Sequence, residues 1–277
     1  MNKHSDKSTD AETYIRKLKE THPLREAIIQ SAIHALNPAK GSRGLDAGCG
    51  IGTQALALAN EIGPQGHVTG LDIAPEFIHY AGKIVKEGGL TGRISFKEGD
   101  VTKIPFEDNT FDWVWSADCV GYPVSDNPVQ SITELKRVVK PGGTVTILAW
   151  SSQQLLPGYQ LLEARLNAAS SGYSRYIRGK KPEQYFLRAL GWFEGAGFHE
   201  CSAKTFVGDV QAPLSDDIIA ALGRLFEMLW GEPVPELAKE DWAEFERLCR
   251  PESPDFILNE PDYYGFFTYS MFIGKAP

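Results

Sequence analysis

Apolar positions along the chain change their period repeatedly, and the changes lay out the elements. Leu24, Ile28, Ile29, Ala32, Ile33 and Leu36 recur at helical spacing, and Pro38 and Gly41 end that run. Arg43 to Ala47 then reads as a short strand running into a cluster of glycines. The helix beyond it extends to Ile62, where Gly63-Pro64 stops it. His67 to Leu71 is a second strand closing on Asp72, and Pro75 opens a helix whose apolar face is Phe77, Ile78, Ala81, Ile84 and Val85. Ile94 to Lys97 and Phe111 to Ser116 are the third and fourth strands. Ile132, Leu135, Val138 and Val139 mark a helix closed by Pro141-Gly142-Gly143, and Thr144 to Trp150 is the fifth strand.

Strands alternating with helices in this way build βαβ units around a parallel sheet. The second half is less regular. A helix is expected from Tyr185 to Gly195, a sixth strand from His199 to Val207, and a β-prone last strand from Phe266 to Ile273. Between those strands, Ile218, Leu222, Leu225, Phe226 and Leu229 mark one amphipathic helix, and Trp242, Phe245 and Leu248 another. This segment interrupts what is otherwise a hairpin, and Ser151 to Pro182 interrupts the chain after the fifth strand.

Composition narrows the classes. The chain has 277 residues, 42% of them apolar and 23% charged, the balance of an ordinary globular protein. A net charge of −8 makes nucleic acid a poor partner, because phosphate neutralisation dominates that binding. Arg175, Arg178, Lys180 and Lys181 form one basic cluster, read as a solvated face. Cys49, Cys119, Cys201 and Cys249 show no C-x-x-C spacing, and the histidines are scattered, so neither a disulfide framework nor a metal site is expected. The first ten residues are polar and no run of about 18 apolar residues occurs, which leads to the expectation of a cytoplasmic protein without a membrane span. Residues 1–12 read as a disordered tail.

The chemistry concentrates in Leu45-Asp46-Ala47-Gly48-Cys49-Gly50-Ile51-Gly52, a strand, a tight glycine turn and the start of a helix. Such a turn at the carboxyl edge of a parallel sheet is a nucleotide-binding device. A nicotinamide site requires G-x-G-x-x-G and an acid about twenty residues on. Here the glycines are one residue tighter, G-x-G-x-G, although Asp72 stands at a distance that suits a ribose. A bland turn is the remaining reading of the triplet alone. Residues 43–150, however, resemble the core of the class I (Rossmann-like) S-adenosylmethionine-dependent methyltransferases, with several motifs in order. Leu45 to Gly52 resembles their D-x-G-C-G-x-G motif, Gly70-Leu71-Asp72-Ile73 their second acid, and Gly99-Asp100-Val101 their third. Phe111-Asp112-Trp113-Val114 is similar to their F-D-x-V strand, and Leu135 to Gly143 to their L-x-R-V-L-K-P-G-G turn.

The resemblance implies a doubly wound, seven-stranded, mostly parallel α/β sheet with an antiparallel last strand. It also implies S-adenosyl-L-methionine as cofactor and methyl transfer to a small-molecule acceptor by in-line displacement. The general layout is that of the small-molecule branch that includes quinone-ring C-methyltransferases. In that reading residues 13–277 form one domain, 43–150 its cofactor-binding core, and 151–184 and 210–262 helical insertions that cap the substrate. Gly48, Cys49, Gly50 and Gly52 form the turn, Asp46 supports its amides and the ammonium end, and Asp72 accepts from the ribose hydroxyls. Ile73 packs on the adenine face, Asp100 and the Val101 amide meet its edge, and Ser116 and Ala117 line the side toward the methyl group. Asp118 and Tyr122, on the loop facing the acceptor, are the candidates for a chemical role. No N-P-P-Y or D-P-P-Y element follows the fourth strand, which argues against adenine-N6 or peptide-amide methylation. Two other functions stand beside this one: a non-catalytic S-adenosylmethionine-binding protein and an NAD(P)-dependent oxidoreductase.

Overall fold

The computed structural model describes residues 4–121, 127–169 and 179–277. Seven strands form one sheet: β1 (Arg43–Ala47), β2 (His67–Asp72), β3 (Ile94–Glu98), β4 (Phe111–Ala117), β5 (Val139–Gln154), β6 (His199–Gln211) and β7 (Tyr264–Lys275). Their order is β3-β2-β1-β4-β5-β7-β6. The first five are parallel, while β7 runs antiparallel to both β5 and β6. The chain builds outward from β1 through β2 to β3, then returns to β4 on the other side of β1. The connections diverge at that point, and the diverging loops leave a crevice at the carboxyl ends of β1 and β4.

Alternation along the strands supplies two apolar layers. Trp113, Trp115 and Leu148 face one side, with Leu24, Ile28, Ile33, Leu58 and Phe226. Val114, Val145, Ile147 and Ala149 face the other, with Ile132, Leu135, Trp192 and Phe193. The first layer is covered by α2 (His22–Leu36), α3 (Thr53–Ile62) and α8 (Asp216–Trp230); the second by α5 (Pro128–Val138) and α7 (Ala189–Gly195). The remaining α-helices among the described residues are α1 (His4–Glu20), α4 (Pro75–Glu87), α6 (Gln160–Ala169) and α9 (Lys239–Cys249).

Several elements differ from the sequence reading. Helix α1 begins at His4, inside the stretch 1–12 that composition marks as tail. Farther along the helix Tyr14 stacks on Phe77 at 5.7 Å and Glu20 pairs with Arg224 at 2.5 Å. The helix expected from Tyr185 to Gly195 is regular only from Ala189, after two 3-10 turns at Pro182–Gln184 and Phe186–Arg188. Strand β5 is longer than Thr144 to Trp150 at both ends. Between its pairings Phe111↔Val139 and Trp113↔Thr144 the Pro-Gly-Gly segment bulges out, with Gly142 at φ 75°. Past a second irregularity at Trp150/Ser152, residues 152–154 pair with 266–268 of β7. That extension carries Trp150 to Gln154 over the crevice.

The β1–β4 pair at the centre is held by a size match. Gly44 pairs with Trp113, whose indole covers the glycine and donates to Ser42 Oγ at 2.8 Å. A β-carbon on Gly44 would overlap the six-membered ring of Trp113, which is 3% exposed and has nowhere to move. Gly44→Ala is therefore expected to lower stability by about 1–3 kcal/mol, the usual cost of overpacking. Urea unfolding of the two proteins checks this; equal midpoints would mean that Trp113 shifts freely.

Candidate active site

The turn after β1 is fixed to its neighbour by backbone alone. The Leu71 carbonyl of β2 accepts from the Gly48 amide at 2.7 Å and the Cys49 amide at 2.9 Å. Receiving two consecutive amides on one oxygen forces a sharp bend, and Gly48 takes φ 82°. A side chain there would also overlap Cys119, which follows β4. At Gly50, φ 52°, a β-carbon would meet nothing nearer than Leu18 Cδ1 at 3.9 Å, so that position faces open space. Gly52 instead caps α3 and packs against Phe96 and Ala81.

The acids at this edge are held in different ways. The Asp72 carboxylate is a strut: Oδ2 accepts from the Gly50 amide at 2.8 Å and Oδ1 from the Ala74 amide at 2.9 Å. Asp46, at the end of β1, is 1% exposed, and its Oδ2 has no hydrogen-bond partner. Burial, and then the nearby negative charge of Asp72, push its pKa up to about 8. Asp100 Oδ1 accepts from the Thr102 amide and hydroxyl, both at 2.7 Å, closing a turn after β3. Ile73 is 67% exposed beside Asp72, and Val101 packs at the fringe of the second apolar layer. Ser116 is fully buried; its hydroxyl donates to the Ala47 carbonyl at 2.8 Å and accepts from the Val120 amide at 3.3 Å, tying β4 to β1. Burial raises both thiols at the turn, Cys49 strongly and Cys119 up to about 12, so neither is a thiolate at neutral pH.

A cavity of about 1060 Å³ opens over this turn. Gly48, Cys49, Gly50, Asp72 and Ala117 share its wall; Asp46, Gly52, Ile73, Asp100, Val101 and Ser116 are outside its lining. The wall also contains residues that the sequence did not single out. Leu18 of α1 roofs the turn, Thr21 at the entry to α2 and Arg25 and Ile29 within it form one side, and Trp150, Gln153 and Tyr269 come from β5 and β7. The Trp150 indole donates to Gln153 Oε1 at 2.7 Å, and the Gln153 amide donates to Asn167 at 2.9 Å. His22 also faces the cavity, where burial holds its pKa below the usual histidine value.

Asp118 is the charged group just beyond β4 on this wall. It stands in the left-handed region at φ 48°. Its Oδ1 accepts from the Trp150 amide at 3.0 Å, and its Oδ2 accepts from the Tyr269 hydroxyl at 2.8 Å, with Arg25 Nη1 3.8 Å away. Tyr122, the other candidate, lies outside the described residues. The sequence offered one sign of Arg25: Thr21, Arg25 and Ile29 fall at i, i+4 and i+8, a stripe beside the apolar face of α2. Tyr269 gave none, because a tyrosine in a β-prone run reads as core.

Residues 45–143 match the family model described as a methyltransferase domain. The chain is 33% identical over 190 residues to the demethylmenaquinone methyltransferase of Bacillus pumilus, an alignment covering 64% of this chain and 79% of that protein. It is 32% identical over 189 residues to that of Staphylococcus carnosus, covering 62% and 74%. Among solved structures, a SAM-dependent methyltransferase from Aquifex aeolicus shares the fold with a TM-score of 0.52 and 23% identity, over 68% of this chain and 88% of that one. The chain belongs to the class I S-adenosylmethionine-dependent methyltransferases. It is an enzyme that uses S-adenosyl-L-methionine, and the nicotinamide reading of the glycine turn is set aside.

The residues fit that cofactor. Asp46 Oδ2 is an orphaned buried acceptor, Gly50 is bare toward the cavity, and each Asp72 oxygen has a lone pair left. Asp72→Ala should weaken S-adenosylhomocysteine binding by about 1.5–3 kcal/mol, the scale of hydrogen bonds to a charged group. Calorimetry reads this directly, and unchanged affinity would remove Asp72 from the ribose site. Asp46 yields a pH prediction. A carboxyl whose pKa is raised on folding binds a proton more tightly in the native state, so its contribution to stability falls as pH rises from about 4 toward 8. In the absence of cofactor, Asp46→Asn should flatten the decline of unfolding free energy between pH 5 and 8 seen in the parent. Parallel pH profiles would mean that Asp46 is ionised throughout.

Proposed function

We propose that the chain transfers the methyl group to a small-molecule acceptor held in the part of the cavity between α2, α8 and the end of β5. One observation carries this reading: the cavity over the glycine turn, at about 1060 Å³, exceeds what a single drug-sized ligand fills and continues past Ala117 to Trp150 and Tyr269. Cofactor and acceptor then share one chamber, with the reacting atoms meeting near Ala117. The demethylmenaquinone methyltransferases among its relatives support a planar, ring-bearing acceptor. The net charge of −8 supports an acceptor other than nucleic acid, and a reducing cytoplasmic setting suits the four free cysteines.

The site roles follow the same reading. Gly48, Cys49 and Gly50 let the backbone approach the cofactor, with Gly52 capping α3 and packing the turn against α4 and β3. Asp46 faces its ammonium end, Asp72 its ribose, and Ile73, Asp100 and Val101 the adenine. Ser116 holds the end of β4 so that Ala117 and Asp118 meet the acceptor. Residues 151–184 and 210–262 act as the substrate cap of a single domain spanning 13–277. S-adenosylmethionine supplies an already activated methyl on a sulfonium, so the protein's work is alignment and exclusion of water. Leu18 over the turn serves the second task, because α1 closes the chamber from above.

A screen with methyl-labelled cofactor tests the reading, using hydroquinones, naphthoquinols, catechols, thiols and amines as acceptors. Label is expected in a ring-bearing small molecule at more than about tenfold the rate of a Gly50→Val protein. Label that enters only protein or nucleic acid substrates would overturn it.

A further inference from the structure

We infer that the acceptor carries a weakly acidic hydroxyl, that Asp118 receives its proton, and that Tyr269 and Arg25 are positioning residues that hold Asp118 for that step. The inference rests on the small-molecule reading above and names the chemistry of that acceptor.

Asp118 is the carboxylate on the acceptor side of the cavity that follows directly on Ala117. The turn at Gly48 abuts Cys119, so the acid stands next to the cofactor's end of the chamber. Both of its oxygens are engaged but neither is saturated. Oδ1 accepts one amide, from Trp150, and Oδ2 accepts one phenol, from Tyr269. A carboxylate oxygen has two lone pairs, so each can still accept from a substrate hydroxyl. Arg25 completes the arrangement without covering it. Its guanidinium is committed to Thr21 Oγ1 at 2.9 Å and stays 3.8 Å from Asp118 Oδ2. At that distance it balances the charge and leaves the carboxylate reachable, and about a fifth of each side chain remains accessible (21% and 22%).

The backbone supports the same conclusion. A non-glycine residue in the left-handed region is uncommon, and such conformations persist where the surrounding structure holds them. Here the Asp118 amide donates to the Leu148 carbonyl at 2.8 Å while its side chain takes the Trp150 amide, so β5 grips the residue at both ends. The Tyr269 hydroxyl and the Arg25 guanidinium are further polar groups aimed at the carboxylate from β7 and α2.

Electrostatics suit a base. Burial raises the Asp118 pKa, while Arg25, the Trp150 amide and the Tyr269 hydroxyl lower it, leaving the carboxyl above its ordinary value. A base poised closer to neutrality transfers protons more effectively. Among the described residues, Lys17 of α1, His22 and Glu26 of α2, Glu227 of α8 and Glu232 also line the cavity; Cys119, adjacent in the chain, feels Asp118, Asp46 and Asp72, and Tyr14 of α1 acts on Arg25.

The step balances. The acceptor's O–H bond breaks and its proton goes to an Asp118 oxygen. The electron pair freed forms the bond to the methyl carbon, from oxygen or from the ring carbon conjugated with it. The carbon–sulfur bond breaks with its pair going to sulfur, and the proton leaves for solvent through the cavity mouth. On the carbon route, the ring proton is lost afterwards and the hydroxyl proton restored. An acceptor already present as a thiolate needs no such base.

The test uses the full chain with phenols, hydroquinones, enols, thiols and secondary amines as acceptors. Asp118→Asn keeps an oxygen for the Trp150 amide and tolerates the left-handed backbone, but removes the base. Expected is turnover of hydroxyl acceptors by the parent and a fall in kcat of about a hundredfold or more in Asp118→Asn. S-adenosylhomocysteine affinity should stay within about twofold. Tyr269→Phe and Arg25→Met each remove an interaction that favours the ionised carboxylate. Because Asp118 must be ionised to act, both should move the acid limb of kcat/KM to higher pH. A purely structural role would lower the rate without moving that limb, and that result would overturn the positioning assignment. Loss of less than about threefold in Asp118→Asn, or turnover of thiols and amines alone, would overturn the inference while leaving the small-molecule reading intact. If no small molecule of any class takes the methyl group, that reading fails first and the inference falls with it.

Discussion

The Leu71 carbonyl, receiving the Gly48 and Cys49 amides together, is the interaction on which the site depends. It binds the turn after β1 to the end of β2, so the turn cannot open without breaking the central sheet. It also brings the Gly50 amide within reach of Asp72, whose other oxygen sets the entry to α4 through Ala74. One carbonyl and one carboxylate thus fix the bend, the acid beside it and the next helix in a single geometry. A cofactor that enters meets groups already in place, and little of its binding energy is spent on ordering them.

The fold was most legible where local and global preferences agree. Between residues 43 and 98 the strand and helix limits read from periodicity lie within a residue or so of those observed, because each element there is short, punctuated by glycine or proline, and apolar on the face it buries. The reading weakened where tertiary contact decides. The start of α1 reads as tail because its residues are polar, while the contacts that hold the helix come from α2 and, far along the chain, from α4 and α8. The ends of β5 and β7 extend because they pair with each other past the parallel sheet, which no local pattern announces.

The candidate site divides along the same line. The glycine turn and Asp72 occupy the cavity wall because a motif of fixed spacing is a local backbone shape. Ser116 is legible as a residue of the strand end, yet its hydroxyl turns inward to the Ala47 carbonyl, a choice set by the neighbouring strand. The Arg25, Asp118 and Tyr269 group draws on α2, β4 and β7 and exists only after the sheet has closed.

Comparison of the buried Glu163 and Asp46 with the half-buried Asp118 shows how differently the fold compensates its acids. Glu163 is 1% exposed and accepts from the Leu155 and Leu156 amides, through both of its oxygens, so its burial is compensated where α6 packs on the chain leaving β5. Asp118 is compensated by an amide, a phenol and a guanidinium. Asp46 is left with one oxygen unpartnered and a second acid beside it. Desolvating an acceptor without a bond costs about 1–3 kcal/mol, and a fold retains such a cost where something outside the chain relieves it. Of the three, Asp46 is therefore the acid whose burial the chain itself leaves uncompensated.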